Sequence, residues 1–454
     1  MEKLFLYILS AFFLTLNFNS CRAENDFEKG KLIERVQCIE DTSQSYALYL
    51  PKTYSKDKKY PVIFFFDPSA IGKKPLKLYK DYADKFDFIL AGSNNSRNGV
   101  PLDIVESGIK IMIADVKERF SIDTNRVYAA GFSGGARVAL AFVMEHGGVQ
   151  GVIALGAGMP ASGTINHKFS LLMMVGNEDF NYMELNSLNR QLKDMPIEHH
   201  LIVFNGKHKW APPDVFENAF YWLLFKDMKD GKIAKDTNLA KEFIGKNRKE
   251  INLEKDKKVN FGDYLRYYLK NIEFLKGVID ISQDYDFYLE LCRTKDFSQI
   301  NDELIQSESL ETEIKERMIR YLDKRDMRFW GMTIDTLYKK FETGQKPDPR
   351  LFKRVISFLS LASYLSCERA FANRDDSLIN KFIDIYRLVD PDNPDYDFLL
   401  AKRYAYKNDK EHALLSLENA VKKGLDDPAK ITNDAILSVL KDESKYKKIL
   451  SQIK

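Results

Sequence analysis

The chain has 454 residues, of which 44% are hydrophobic and 13% aromatic, enough to bury the cores of two or three domains. Its 69 Lys and Arg against 66 Asp and Glu leave a net charge of only +3. So even a balance gives no electrostatic footprint for a nucleic acid, and no nucleic-acid partner is expected.

The first residues carry a targeting signal. The apolar run Leu4–Leu16 after Lys3 is too short to cross a bilayer as a helix but has the size of a signal-peptide core, so residues 1–23 read as an export signal. Two cleavage readings compete. Phe18-Asn19-Ser20-Cys21 resembles a loose bacterial lipobox and would leave Cys21 as a lipidated N-terminus, which is the reading favoured; Cys21-Arg22-Ala23 suits an ordinary signal-peptidase cut. The first makes the protein a periplasmic or cell-surface lipoprotein that meets the membrane through its lipid anchor only. The second makes it a soluble periplasmic or secreted protein. Cys38, Cys292 and Cys367 have no metal-type spacing and read as buried free thiols.

Residues 30–228 alternate between strand and helix patterns. Strands are expected at Leu32–Cys38, Tyr46–Leu50 and Tyr60–Phe66, a helix at Leu76–Phe86, a strand at Phe88–Ala91 and a helix at Leu102–Phe120. A strand at Arg126–Ala130 then meets Gly131-Phe132-Ser133-Gly134-Gly135 and an Ala-rich helical pattern. Strands at Val152–Leu155, Leu171–Val175 and His200–Phe204 follow, with helices at Met183–Leu192 and Pro213–Lys226. This alternation predicts an α/β unit with a mainly parallel sheet covered by helices on both faces.

The strand, turn and helix around Ser133 is the stretch that carries chemistry. A serine at the tip of a tight strand-to-helix turn needs small neighbours two residues either side, so that the backbone can bend and its Oγ can project. A serine hydroxyl is a weak nucleophile without a base, and a histidine base needs a carboxylate to set its tautomer. Among six histidines, His208 lies in a turn-rich loop just past a strand, Gly206-Lys207-His208-Lys209-Trp210. Asp179 stands three residues after Gly176 at another strand end.

Together with the opening Leu48-Tyr49-Leu50-Pro51 and the strand Val62–Phe66, these residues resemble the α/β-hydrolase superfamily, in the branch of polyhydroxybutyrate depolymerases and feruloyl esterases. The resemblance spans about residues 36–228. It implies a serine esterase with Ser133 as nucleophile, His208 as base, Asp179 as the acid, and neither metal nor cofactor. It also exposes a departure: relatives carry His-Gly after the third strand, whereas this chain has Asp67-Pro68-Ser69-Ala70, and Pro68 has no N–H to donate. One oxyanion donor is expected from Gly134 N–H and the other from Ser69 or Ala70, with Ser69 preferred. Asn95 and Arg97, in a polar loop after a strand, and Trp210, beside His208, are the candidate substrate-binding residues. A plain polar loop and core packing are the competing readings of these three. The short segment Gly156–Lys168 leaves no room for a helical lid, so the cleft should be open unless the other domain covers it.

From 229 to 258 the composition shifts to a charged linker, and past it strand signals vanish. Residues 259–454 show apolar residues at helical spacing, predicting an all-α, helical-repeat domain. Ala401, Tyr404, Ala413, Leu417 and Ala420 resemble a tetratricopeptide repeat, a scaffold that presents a concave surface to a protein partner. Every candidate catalytic residue precedes 228, so this half is expected to be separable from the chemistry. The expected function is hydrolysis of a carboxylic ester, carbohydrate-linked or otherwise polar, in a small molecule or polymer. The alternative is a catalytically weak or inactive hydrolase fold that binds a partner through its helices.

Overall fold

The computed structural model describes residues 27–159, 164–253 and 261–453, so the export signal and Cys21 lie outside the described residues. Among them, β1 (Leu32–Gln37), β2 (Ser45–Tyr49), β3 (Tyr60–Phe66), β4 (Ile89–Ser93), β5 (Ile122–Phe132), β6 (Gly151–Leu155), β7 (Ser170–Gly176) and β8 (His199–Phe204) form one sheet. Its strand order is β1-β2-β4-β3-β5-β6-β7-β8. The β1–β2 and β2–β4 pairs are antiparallel, and the remaining pairs are parallel.

Period-two alternation explains why β3 is an unbroken apolar run. Val62, Phe64 and Phe66 enter the core under α2 (Leu102–Arg119) and α3 (Gly134–His146). Ile63 and Phe65 enter the opposite core, under α1 (Lys73–Phe86) and α5 (Pro213–Lys229). A strand with helices on both faces has no solvent side, so every position must be apolar. From β3 the chain goes first to β4 on one side and then to β5 on the other. That reversal opens a crevice beyond the carboxyl ends of β3 and β5, where α/β sheets place their sites. The topology is the α/β-hydrolase fold.

The stretch expected as a charged linker is largely helical. α6 (Thr237–Leu253) buries Ala240 and Phe243 completely against α5 and α7 (Phe261–Leu275). Phe243 stacks on Phe274 with centroids 5.2 Å apart and meets Phe225 edge-on at 5.4 Å. Outside this seam Glu242 pairs with Lys85 and Lys246 with Glu217.

The helical half continues as α8 (Ser282–Cys292), α9 (Lys295–Tyr321), α10 (Met327–Glu342), α11 (Arg350–Ala372), α12 (Asp376–Val389), α13 (Pro394–Tyr406), α14 (Lys410–Lys422) and α15 (Pro428–Thr432). Side chains of Thr294, Asp326, Asp375, Asn393, Asp409 and Asp427 accept first-turn N–H groups and so set where six of these helices begin. Trp330, Phe352, Val355 and Phe382 fill its larger core. Ala401, Ala413, Leu417 and Ala420 are fully buried between α13 and α14, where small residues let the pair approach closely. Cys38 and Cys367 are buried, with thiols pushed up to about 12 by burial, whereas Cys292 is only half-buried.

The two halves are not independent. Arg354 of α11 donates to the carbonyl of Asn177, Lys315 of α9 to that of Phe180, and Arg97 to Asp427 at the start of α15. Asn177 and Phe180 follow β7 and Arg97 follows β4, so the helices lie along the carboxyl-end edge of the sheet. The helical half, expected to be separable from the chemistry, thus makes direct polar contacts with the loops that follow β7 and β4.

Candidate active site

Ser133 sits where the central strand β5 breaks into α3, with φ 53° and ψ −120°. That backbone is sparsely populated for a residue with a Cβ and stores strain of about 1–3 kcal/mol. A Cβ at Gly131 would collide with the carbonyl of Gly135, and one at Gly135 with the carbonyl of Phe66. Close approach of the elbow to itself and to β3 thus demands both glycines. Gly134 N–H opens α3 and has no intrahelical acceptor, so it points its donor and the positive end of the helix at the space beside Ser133.

The three candidate catalytic residues converge. His208 Nε2 lies 2.9 Å from Ser133 Oγ, and its Nδ1 lies 2.9 Å from both carboxylate oxygens of Asp179. A carboxylate only accepts, so Nδ1 carries the proton and Nε2 presents its lone pair to the serine hydroxyl. Asp179 is 1% exposed, and Asn181 N–H also donates to its Oδ1 at 2.8 Å. Phe132 and Phe180 flank the imidazole, with ring centroids 4.6 and 4.2 Å away. Glu178 contributes its backbone N–H to the carbonyl of Gly206, and it is Asp179 whose carboxylate reaches the imidazole.

Two loops from neighbouring strands must meet for this to happen. Asn177 N–H donates to Phe204 O and Glu178 N–H to Gly206 O, so the acid loop after β7 is stitched to the histidine loop after β8. A Cβ at Gly176 would strike the carbonyl of Gly206. Gly156, at the end of β6, lies under the triad with φ +62°; a Cβ there would stand 3.1 Å from Asp179 Oδ2, His208 Cε1 and a Phe132 ring carbon. Asn181 Nδ2 donates to its carbonyl at 2.7 Å. Gly156→Ala is therefore expected to strain the backbone and shift the imidazole by a few tenths of an ångström, lowering kcat by about tenfold. Steady-state kinetics on a variant shown to be folded would check this, and kcat within about twofold of wild type would contradict the placement.

The remaining expected site residues are engaged otherwise. Ser69 N–H donates to Asp67 Oδ1 at 2.9 Å and Ala70 N–H to Asp67 O at 2.9 Å, so neither candidate second donor is available in this geometry. Asp67 turns back because its other oxygen accepts from Trp210 Nε1 at 2.8 Å. Burial raises the Asp67 carboxyl, and the hydrogen bonds from Trp210 and Ser69 oppose the rise. Trp210 is 6% exposed and packs on Phe65, Tyr79 and Phe132, so it backs the site and does not line it. Asn95 accepts from Ser45 N–H and donates to Ser43 O, tying a loop to β2. Arg97 spends its guanidinium on Ser69 O and Asp427.

Another residue of the same polar loop, not singled out among the candidates, stands beside the nucleophile instead. Asn98 N–H bonds Pro68 O at 2.9 Å, which folds its exposed carboxamide over the elbow; a Cβ on Gly134 would collide with it. The Asn98 carboxamide thus lies beside Gly134 with Oδ1 nearest, and a half-turn of the amide brings its Nδ2 donor to that place.

No protein-family model matches this sequence, and no curated protein is similar enough to count as a relative. Solved structures do resemble the first half. An S-formylglutathione hydrolase from Staphylococcus aureus is 14% identical, covering 44% of this chain and 98% of its own, with a TM-score of 0.37. A feruloyl esterase module from Clostridium thermocellum is 16% identical, covering 40% of this chain and 83% of its own, with a TM-score of 0.33. Est1E from Butyrivibrio proteoclasticus is 12% identical, covering 43% and 98%, with a TM-score of 0.35. At such identities and scores the likeness assigns no activity, and the chemistry has to come from the residues themselves.

Proposed function

We propose that this protein is a serine hydrolase that cleaves carboxylic esters. The observation that carries the reading is the unbroken hydrogen-bonded line from Asp179 through His208 to Ser133, with all three groups at bonding distance and the serine on a strained elbow. Ser133 Oγ attacks the ester carbonyl while His208 Nε2 takes its proton, and Asp179 stabilises the imidazolium. The oxyanion forms beside Gly134 N–H at the positive end of α3. Collapse of the tetrahedral adduct gives the acyl-enzyme, the imidazolium protonates the departing alkoxide, and water activated by His208 then releases the acid.

The second oxyanion donor in this reading is the carboxamide of Asn98, since Ser69 and Ala70 have their N–H groups committed. Asn98→Ala is expected to lower kcat by about a hundredfold with little change in KM, the usual loss for one oxyanion donor. An unchanged kcat would remove Asn98 from the hole. A carbohydrate-linked or polar substrate was expected from Asn95 and Arg97. Both are held in structural contacts, so it is the ester bond that defines the substrate.

The alternative, an inactive hydrolase fold that only binds, draws on the same commitment of Ser69. Treatment of the full chain with a fluorophosphonate, followed by peptide mapping, separates the two. Modification at Ser133 supports the hydrolase, and an unlabelled, folded wild type favours the binding protein.

A further inference from the structure

The acid loop is gripped from outside by the helical half. Between β7 and α4 (Tyr182–Gln191) the chain runs through Asn177, Glu178, Asp179, Phe180 and Asn181. Its carbonyls at Asn177 and Phe180 each meet a cation from a different helix. Arg354 Nη1 donates to Asn177 O at 3.1 Å, and Lys315 Nζ donates to Phe180 O at 2.8 Å. The face of the same guanidinium lies 4.4 Å over the ring of Tyr182, at the far end of the loop. Asp179 and Phe180, the two residues that touch His208 from this loop, are therefore bracketed by the helical half.

These cations are themselves held in place. Arg354 is fully buried, and its Nε donates to Glu311 Oε2 at 2.7 Å and its Nη1 to Asp348 Oδ2 at 3.0 Å. Lys315 pairs with Glu311 Oε1 at 2.7 Å, one turn away on α9. Burial pushes the Asp348 carboxyl up, but Arg354 and Arg350 outweigh it and hold it below the usual carboxylate range. Taking an arginine and a glutamate out of water together is costly, the more so because Arg354 Nη2 is buried without a hydrogen-bond partner among the described residues, and removing one member of the pair would strand the other. So costly an arrangement against the backbone of a catalytic loop points to a task beyond joining two domains.

We propose that Arg354 and Lys315 are positioning residues, through which the seated helical half holds Asp179 and Phe180 against His208 and so completes the catalytic site. The inference rests on the hydrolase reading for its consequence, but the hydrogen bond it concerns can be observed without turnover. It makes activity conditional on the seating of α9 and α11, and it gives the appended helices a role in the chemistry.

The test uses the full chain with Lys315→Met, the paired change Arg354→Met with Glu311→Leu, which strands no charge between those two, and Lys315→Arg as the conservative control. Two readouts are compared: the low-field proton resonance of His208 Nδ1–H, and kcat and KM for an activated ester beside the rate of fluorophosphonate labelling. Lys315→Met and the paired change should each weaken or abolish the resonance and lower kcat and the labelling rate about tenfold or more, with KM within about twofold. Lys315→Arg should restore both. Folded variants with an unchanged resonance and unchanged kcat would overturn the proposal, and if the paired change fails to fold, Lys315→Met decides alone. Should wild type prove unreactive toward the fluorophosphonate, the hydrolase reading falls, while the resonance still reports whether these cations hold the Asp179–His208 bond.

Discussion

Ser133→Ala is expected to lower kcat for an activated ester by about a millionfold and to abolish fluorophosphonate labelling, while leaving the protein folded. The magnitude follows from what the substitution removes. Without Oγ no acyl-enzyme forms, and what remains over water comes from Gly134 N–H, the neighbouring amide and binding alone. The fold should survive because the hydroxyl is not what holds the elbow. Ser133 N–H bonds Leu155 O at 2.8 Å, and its carbonyl accepts from Ala136 and Arg137; alanine keeps all three. The left-handed backbone at φ 53° strains alanine as it strains serine, so thermal unfolding should shift by no more than a degree or two, about what a lost half-exposed hydrogen bond gives. Activity and melting measured on one preparation check the pair of outcomes. An alanine variant that hydrolyses the ester at the wild-type rate would remove Ser133 from the mechanism.

What could be read in the chain and what could not divides along the range of the interactions. The β3 run, the glycines around Ser133 and the strand-end positions of Asp179 and His208 are local consequences of sheet burial and of a tight turn, and local patterns show them. Ser69 fails for a reason that was also local: an aspartate two residues upstream across a proline is an Asx-turn pattern, and it consumes the N–H. Arg97 fails for a different reason. Its partner Asp427 lies 330 residues away, and no spacing rule announces such a pairing. The same holds for Arg354 and Lys315, whose acceptors on the loop after β7 are main-chain carbonyls and leave no mark in residue types. α6 was hidden because Ala240 and Phe243 form its seam in a stretch otherwise dominated by Lys and Glu. Gly156 followed a visible strand, but its place under the triad depends on three loops meeting.

The adjacent carboxylates Glu178 and Asp179 give the sharpest test of how the base is set. Asp179→Asn is expected to lower kcat by between about a hundredfold and ten-thousandfold, and Glu178→Gln by less than about tenfold. Both oxygens of Asp179 lie 2.9 Å from His208 Nδ1. Oδ1 also receives Asn181 N–H at 2.8 Å, so in the asparagine variant the amide oxygen is drawn to that position. The amide NH2 then occupies the place of Oδ2 and points a donor at Nδ1–H. Repulsion favours the other tautomer, with the proton on Nε2, and an imidazole in that form cannot accept the serine proton. Loss of the negative charge removes stabilisation of the imidazolium at the same time, so both effects slow acylation. Glu178 faces neither penalty, because it joins the site through its backbone N–H to Gly206 O, which glutamine keeps. Variants compared at matched folding, with KM measured beside kcat, should show the loss in kcat for Asp179→Asn alone. A larger defect from Glu178→Gln than from Asp179→Asn would mean that the working base is oriented by a carboxylate other than the one at 2.9 Å.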